Sequence, residues 1–191
     1  MKKVLPIILS VVLMFTFVAC KSDKNTADLQ GEDVEYYANL GKIPECEYTL
    51  GGSAEDLIEN LKQKQNNAEN SENSDEEGDG YYQEMESGDY NMIMTASFSY
   101  FYKKDSKNKG ITHIVSYGKS YGYDIGTISI EIKKEMSSRG FETAERDLTD
   151  DEKAFILGSS DCSCLEYGFK GNTVLFVFQD NSLCATVLQK Q

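Results

Sequence analysis

Residues 74–86, with the sequence SDEEGDGYYQEME, carry carboxylates at a spacing that could bind calcium. Five of them stand at positions 1, 3, 5, 6 and 12 of an EF-hand loop: Asp75, Glu77, Asp79, Gly80 and Glu86. However, a weak internal repeat predicts that residues 81–86 form a strand. At about 3.3 Å per residue, that strand would carry Glu86 roughly 15 Å from the other ligands. We therefore expect a solvated acidic linker and no metal site, with weak calcium binding as the alternative.

Other side chains that could do chemistry are few. His113 is the single histidine, and it shares a predicted strand face with Ile111 and Val115, which indicates a packed or half-buried imidazole. With this one histidine the sequence shows no Ser-His-Asp triad and no histidine-rich metal cluster, and no spacing singles out a pair of carboxylates. The GKS at residues 118–120 is not a phosphate-binding loop, because His113 replaces its first glycine. We expect no enzymatic activity and no cofactor.

The cysteines bear on the cellular compartment of the protein, but they do not determine which of them form disulfides. Besides Cys20 the chain contains Cys46, Cys162, Cys164 and Cys184. Outside the cytoplasm, four cysteines allow disulfides in three connectivities, and the sequence has no C-x-x-C pair. The pairing stays open, with free thiols in a reducing habitat as the alternative.

The first twenty residues, MKKVLPIILSVVLMFTFVAC, predict a secretory signal peptide. Two lysines precede an apolar run over residues 4–19 that is short for a spanning helix, and polar residues follow it. The segment FVAC resembles the lipobox of bacterial lipoproteins, with Phe17 in place of the usual leucine. The resemblance implies that residues 1–19 are removed and that Cys20 carries the lipid anchor, including palmitate. An ordinary cleaved signal peptide is the alternative.

These features predict a lipid-anchored protein on the extracytoplasmic face of the cell membrane, with residues 20–43 as a flexible tether. Two or more acyl chains would hold it stably in the bilayer. The net charge is −13, and removal of residues 1–19 takes away two lysines and makes it −15. Such a surface repels nucleic acid and anionic lipid, so we expect no nucleic-acid binding and a domain that stands off the bilayer.

Two similar stretches divide the rest of the chain. The stretch at residues 50–62, LGGSAEDLIENLK, aligns with the stretch at residues 125–137, IGTISIEIKKEMS. Both stretches predict a helix. In the first, Ser53 is the expected N-cap and Leu57 lies on the apolar stripe. Residues 63–79 contain no Val, Ile, Leu, Met, Phe or Tyr, which predicts a disordered acidic loop over residues 65–80.

Each helix is followed by three predicted strands separated by turn residues. The strands cover residues 81–86, 90–102 and 111–117, and then 162–169, 173–179 and 183–189. The predicted fold is α+β. It consists of two tandem αβββ units, at residues 44–117 and 118–191, each a helix packed on its own antiparallel sheet.

Residues 90–102 show the clearest alternation in the chain. Their even-numbered positions, mostly aromatic residues and methionine, should face the core. On the opposite face Ile93 and Phe101, joined by Ile114 and Tyr82, would lie among serine and threonine. An apolar group of this kind can bind a partner, and we expect these four residues to contact a protein. Covering by the protein's own loops is the alternative.

The second unit resembles the tandem modules of the β-lactamase inhibitor proteins and, more loosely, the small lipoproteins of outer-membrane assembly. The resemblance is carried by the C-x-C strand at 162–164, the GFKGN turn at 168–172 and FVFQDNSLCATVLQ at 176–189. It implies a non-enzymatic, membrane-anchored module that binds an unidentified protein through a sheet surface. The alternative is a lipoprotein that binds a small ligand or ion and serves a membrane transporter.

Overall fold

In the computed structural model of this chain, residues 33–69, 81–157 and 161–191 are described. These residues contain helices α1 (Val34–Asn39), α2 (Ala54–Glu69), α3 (Ser129–Ser138) and α4 (Asp150–Lys153). The strands are β1 (Gln83–Ser87), β2 (Tyr90–Met94), β3 (Phe98–Lys103), β4 (His113–Ser116), β5 (Glu145–Asp147), β6 (Cys162–Phe169), β7 (Asn172–Gln179) and β8 (Ser182–Lys190). None of the helices in these ranges is long and apolar enough to cross a membrane.

The eight strands form one antiparallel sheet in the order β1-β2-β3-β4-β8-β7-β6-β5. The α+β class is therefore confirmed, but the prediction of two separate αβββ units is wrong. Strands β4 and β8 pair at the centre of the sheet, with Val115 opposite Val187, and this pairing joins the two halves of the chain. Each half contributes four strands rather than three, because residues 90–102 form two strands and β5 is an additional short one.

A tight turn at residues 95–97 divides the predicted long strand. The Thr95 side chain both donates a hydrogen bond to the Phe98 carbonyl and accepts one from the Phe98 amide. Ile93 pairs with Tyr100, with which it shares a face of the sheet. Because paired residues are an odd number of positions apart, the even–odd alternation of side chains reverses across the turn.

The face of the sheet that carries Ile93, which we call the helix face, is covered by α1, α2 and α3. The predicted N-cap of α2 is confirmed, since Ser53 Oγ accepts a hydrogen bond from the Asp56 amide at 3.1 Å. Leu57 of α2 and Ile132 of α3 are fully buried in the same apolar cluster. The helical spacing read from the sequence therefore identified two of the three covering helices, α2 and α3, and their buried sides.

The opposite face, which we call the strap face, is covered by residues 148–157, a segment that includes α4. We call this segment the strap. Leu148, Phe155 and Ile156 of the strap are buried in a second apolar cluster with residues from both halves of the sheet. The strap begins beside β5 at one edge and reaches β1 at the other, where the Ser87 hydroxyl donates a hydrogen bond to the Ala154 carbonyl. The centre of the sheet is thus buried on both faces.

Part of the predicted tether is folded. The structure describes residues 33–43, where Asp33 caps α1 by accepting a hydrogen bond from the Tyr36 amide at 3.0 Å. Ala38 and Ile43 are fully buried, and the Asn172 side chain donates a hydrogen bond to the Ala38 carbonyl. The boundary predicted at residue 44 is therefore wrong, because an amphipathic turn docks the preceding residues on the sheet. The signal peptide and Cys20 lie outside the described residues.

The predicted acidic loop also begins too early. Helix α2 continues through Glu69, so residues 65–69 are helical rather than disordered. An ion pair of 2.9 Å between Lys64 and Glu47 holds this part of the helix to the preceding loop. The sequence here has few apolar residues but many good helix formers, which prolong a helix already started by Leu57 and Leu61.

Candidate functional site

The four residues predicted to bind a protein partner do not form an exposed surface. Ile93, Phe101 and Ile114 have no exposed area, and Tyr82 is half-buried. Ile93 and Ile114 lie on the helix face, whereas Phe101 lies on the strap face beneath Phe155. The prediction was wrong for two physical reasons. The turn at 95–97 reversed the alternation, and the strap covers the face that was expected to be wet.

The calcium motif can be examined at one of its five residues. Glu86 lies in β1 and pairs with the Lys104 ammonium at 2.6 Å, which lowers the pKa of the carboxyl group. The other four residues of the motif lie outside the described residues. In residues 33–69, 81–157 and 161–191, no group of three or more His, Cys, Asp or Glu side chains is placed to hold a metal ion.

Cys46, Cys162, Cys164 and Cys184 are free thiols in the structure. Cys46 lies on the helix face, with its sulfur 3.3 Å from the Tyr100 hydroxyl. Cys162 and Cys184 lie on the strap face, on β6 and β8 with β7 between them, and their side chains interact with each other. Burial raises the pKa of Cys164 to about 12, which suppresses the reactive thiolate.

A cleft of about 580 Å³ lies between the strap and one end of the strap face. The turn between β1 and β2, the start of β4, the end of β8 and residues 149–155 of the strap form its walls. We call it the strap cleft. Its volume lies within the range of about 300–1,000 Å³ that is usual for small-molecule sites.

Three rings form the floor of the strap cleft. The His113 imidazole stacks on Phe155, with ring centroids 4.0 Å apart and an angle of 20° between the planes. Tyr90 meets both rings edge-on, at 5.4 Å from His113 and 5.0 Å from Phe155. Phe101 supports Phe155 from below at 5.0 Å. This packing confirms the half-buried imidazole expected from the sequence and holds a rigid aromatic floor.

His113 is neutral at physiological pH. Burial, and secondarily the charge of Lys103, lowers its pKa to about 4. The Thr112 hydroxyl donates its hydrogen to the Phe101 carbonyl, so toward His113 Nδ1, 2.9 Å away, it acts as the acceptor. The Nδ1 atom therefore carries the proton and the Nε2 atom has a free lone pair, with no partner in the described part of the chain.

This arrangement differs from a nucleophile activated by a base. In such a pair the hydroxyl gives its hydrogen to the imidazole, whereas Thr112 gives it to a carbonyl. The strap cleft can therefore hold a molecule by stacking and by a hydrogen bond to His113 Nε2, but it offers no activated nucleophile at Thr112.

A partly buried group of ion pairs, which we call the hub, fixes the strap over the sheet. Arg146 of β5 bonds to both carboxylate oxygens of Glu152, at 2.7 and 2.8 Å, and to Glu166 of β6 at 2.7 Å. Glu152 also completes a capping box with Thr149 at the start of α4. The Arg146 guanidinium lowers the pKa of Glu152, whose side chain is only 11% exposed. The strap therefore has a charged attachment at β5 and an aromatic one at His113.

The charges around the strap cleft are unevenly distributed. Asp89 and Asp151 are exposed at its rim, and neither forms an ion pair with any residue described in the structure. Glu152 is occupied by Arg146. Lys190 borders the cleft through its backbone, because its ammonium lies on the helix face beside Gly51. The uncompensated charge at the rim is thus negative.

Sequence reasoning missed most of these residues. Asp89, Tyr90, Asp151 and Phe155 were not predicted to lie together, because the strap was not recognised as an element. One signal was present: the residues TDDE at 149–152 have the spacing of a capping box, which marks the start of a helix. Nothing in the sequence indicated that this short helix would reach His113.

No protein-family model matches the chain, and no curated protein matches it. Among solved structures, a DUF4309 family protein, YjgB, from Bacillus subtilis is similar to it. The TM-score is 0.50 and the sequence identity is 15%, over 86% of this chain and 99% of that chain. At this identity the similarity shows a shared α+β fold and carries no functional assignment.

Proposed function

We propose that this chain is a lipid-anchored, extracytoplasmic binding protein without catalytic activity, and that it binds a small molecule in the strap cleft. The observation that supports this most is the cleft itself, about 580 Å³ with a rigid aromatic floor and a free imidazole acceptor. The apolar surface expected to bind a protein is buried, so the geometry favours a small ligand.

The membrane anchor is supported by the lipobox-like segment that ends at Cys20. We expect Cys20→Ala to abolish incorporation of radiolabelled palmitate and to release the protein from the membrane fraction. Unchanged labelling would refute the anchor.

Ligand binding can be tested by thermal unfolding of the full chain in detergent against a panel of metabolites. A ligand at one hundred times its dissociation constant should stabilise the fold by about 2.7 kcal/mol. Gln189→Trp should abolish this effect, because residue 189 lines the strap cleft and an indole there would fill it. Gln179→Trp is the matched control, an exposed residue at the end of β7 that does not line the cleft. Stabilisation that survives in the Gln189 variant would place the ligand elsewhere.

Protein binding is the second candidate, and a different surface favours it. Ile125, Ile128 and Ile130 are 43%, 42% and 62% exposed at the start of α3. Ile130→Asp should leave the stability of the fold unchanged and remove a partner captured from membranes by the parent chain. Equal capture by parent and variant would exclude this surface.

A further inference from the structure

We propose that the strap cleft selects a small organic cation. The ammonium group would lie between Asp89 and Asp151, and the apolar body would lie against Tyr90, His113 and Phe155. This inference rests on the proposed small-molecule function and adds the chemical class of the ligand. The open cleft provides the space for a ligand, and its charges and rings determine which ligand it accepts.

The floor of the cleft suits an apolar body that carries a positive charge. Tyr90, His113 and Phe155 contact one another within 5.4 Å and are held by packing, so a ligand does not need to order them. Aromatic faces attract cations through their quadrupole, and they also bury the carbon skeleton of an amine. A ligand with a flat or short aliphatic body therefore gains affinity from this surface through cation–π attraction and through burial of its carbon atoms.

The rim discriminates by charge. Asp89 and Asp151 come from opposite walls, the turn between β1 and β2 and the strap, and both are free of ion pairs within the described ranges. An anion would approach two carboxylates with no lining ammonium to receive it, since the Lys190 side chain lies on the other face of the sheet. Electrostatic complementarity therefore excludes anions and favours an ammonium group.

His113 adds a directional preference. The imidazole is neutral at pH 7 and presents Nε2 as an acceptor, so it adds no positive charge and can receive an N–H. A primary or secondary amine has such a donor, whereas a carboxylate does not. The neutral imidazole and the two rim carboxylates therefore favour the same chemical class.

One positive charge opposes the proposed ligand. Lys103 pairs with Tyr90 across β2 and β3 and lies close enough to His113 to lower its pKa. Its side chain is exposed and does not line the cleft. Because a cation and an anion would respond to Lys103 in opposite directions, its removal provides a sharp test of the sign of the ligand.

The test is calorimetric titration of the full chain in detergent with three probes that share a 2-phenylethyl group. These are phenethylammonium, the neutral 2-phenylethanol and the anionic 3-phenylpropionate. We expect phenethylammonium to bind most tightly, 2-phenylethanol more weakly and 3-phenylpropionate least. Equal or tighter binding of 3-phenylpropionate would overturn the inference. The absence of stabilisation by any compound of the metabolite panel would instead refute the proposed small-molecule function.

Charge-neutral variants assign the effect to the rim. Asp89→Asn and Asp151→Asn should each weaken phenethylammonium binding roughly two- to fivefold and leave 2-phenylethanol unchanged, as expected for exposed ion pairs. Lys103→Gln should strengthen phenethylammonium binding by a similar factor. Asp124→Asn, an exposed carboxylate outside the cleft, is the matched control and should have no effect. Unchanged affinity in both rim variants, or weaker binding in Lys103→Gln, would overturn the inference.

Discussion

The two faces of the sheet are buried by different means. Three helices cover the helix face, and their contact residues, such as Leu57 and Ile132, have no exposed area. On the strap face a single ten-residue segment crosses the sheet, anchored by Phe155 and by the Arg146 ion pairs. The helix face is closed by repeated apolar contacts along each helix, whereas the strap face depends on a few contacts of different kinds.

This difference determines where a ligand could enter. A helix delivers an apolar side chain every three or four residues and leaves little open space between itself and a sheet. The strap contributes two adjacent buried side chains, Phe155 and Ile156, and the strap cleft lies beside them. The candidate site therefore lies beside a cover that contributes three buried apolar side chains, Leu148, Phe155 and Ile156.

The largest expected loss of stability comes from a carboxylate placed beneath the helices or beneath the strap. Ile93→Asp on the helix face and Phe101→Asp on the strap face should both unfold the domain, because each would bury an unpaired carboxylate. We expect a loss of more than about 4 kcal/mol in denaturant unfolding for each. Tyr36→Asp is the control, since Tyr36 is 56% exposed. A stable Phe101→Asp variant would show that the strap lifts away, and the two faces would then differ even more than their burial suggests.

Truncation of one contact residue on each face compares the two covers directly. Leu57→Ala should cost about 2–5 kcal/mol and lower the cooperative unfolding midpoint. Phe155→Ala removes more carbon, but its site borders the strap cleft and can partly collapse or fill with water. We expect a smaller loss than the usual 3–5 kcal/mol for a phenylalanine, together with faster hydrogen exchange in the strap. If Phe155→Ala exchanges no faster there, the strap is as firmly fixed as the helices.

The sequence predicted the helix face much better than the strap face. Ser53 and the apolar stripe through Leu57 predicted α2, and Ile132 with Met136 predicted α3. The buried side of a helix shows in the sequence as apolar residues three or four positions apart. The strands β6, β7 and β8 were also recognisable from alternation and turn residues. These features are local, and local patterns can be read without a structure.

The rest of the fold depends on contacts between distant residues. No pattern in residues 113–116 indicates that they pair with β8 rather than end a separate sheet. The turn at Thr95 reversed the predicted faces, because a count of alternating residues does not show where a strand folds back on itself. The strap cleft joins Asp89, His113, Phe155 and Gln189, which come together only when the sheet and the strap are both formed.

Acid should weaken the strap face more than the helix face. The pKa of His113 is lowered from 6.5 to about 4, so between these values the unfolded chain binds more protons and stability falls as the pH falls. The contribution is fully present above pH 6.5 and amounts to about 3 kcal/mol across the window. His113→Gln should flatten this part of the stability curve measured by urea unfolding. An unchanged slope in that variant would show that other groups cause it.

The smallest effect concerns the charged attachment of the strap. Arg146→Gln leaves the Glu152 carboxylate, 11% exposed, without its bidentate partner, and we expect a loss of about 2 kcal/mol in urea unfolding. Lys109→Gln is the matched control, because Lys109 and Glu55 are 49% and 69% exposed and such pairs contribute roughly 0–1 kcal/mol. The pKa of Glu152 is lowered mainly by Arg146, so its contribution is present above the unfolded pKa and is lost as the pH falls through the folded one.

The same pair of variants distinguishes an ion pair that only adds stability from one that positions the cleft. Arg146 and Glu152 hold α4, which carries Asp151 to the rim. If the hub positions the rim, Arg146→Gln should also weaken binding of phenethylammonium, while Lys109→Gln should leave it unchanged. Weakened stability with parental affinity would mean that Phe155 and the Ser87 hydrogen bond suffice to hold the strap cleft open. The strap would then be held without its ion pairs, by aromatic packing and one hydrogen bond, whereas the helix face is held by its apolar stripes.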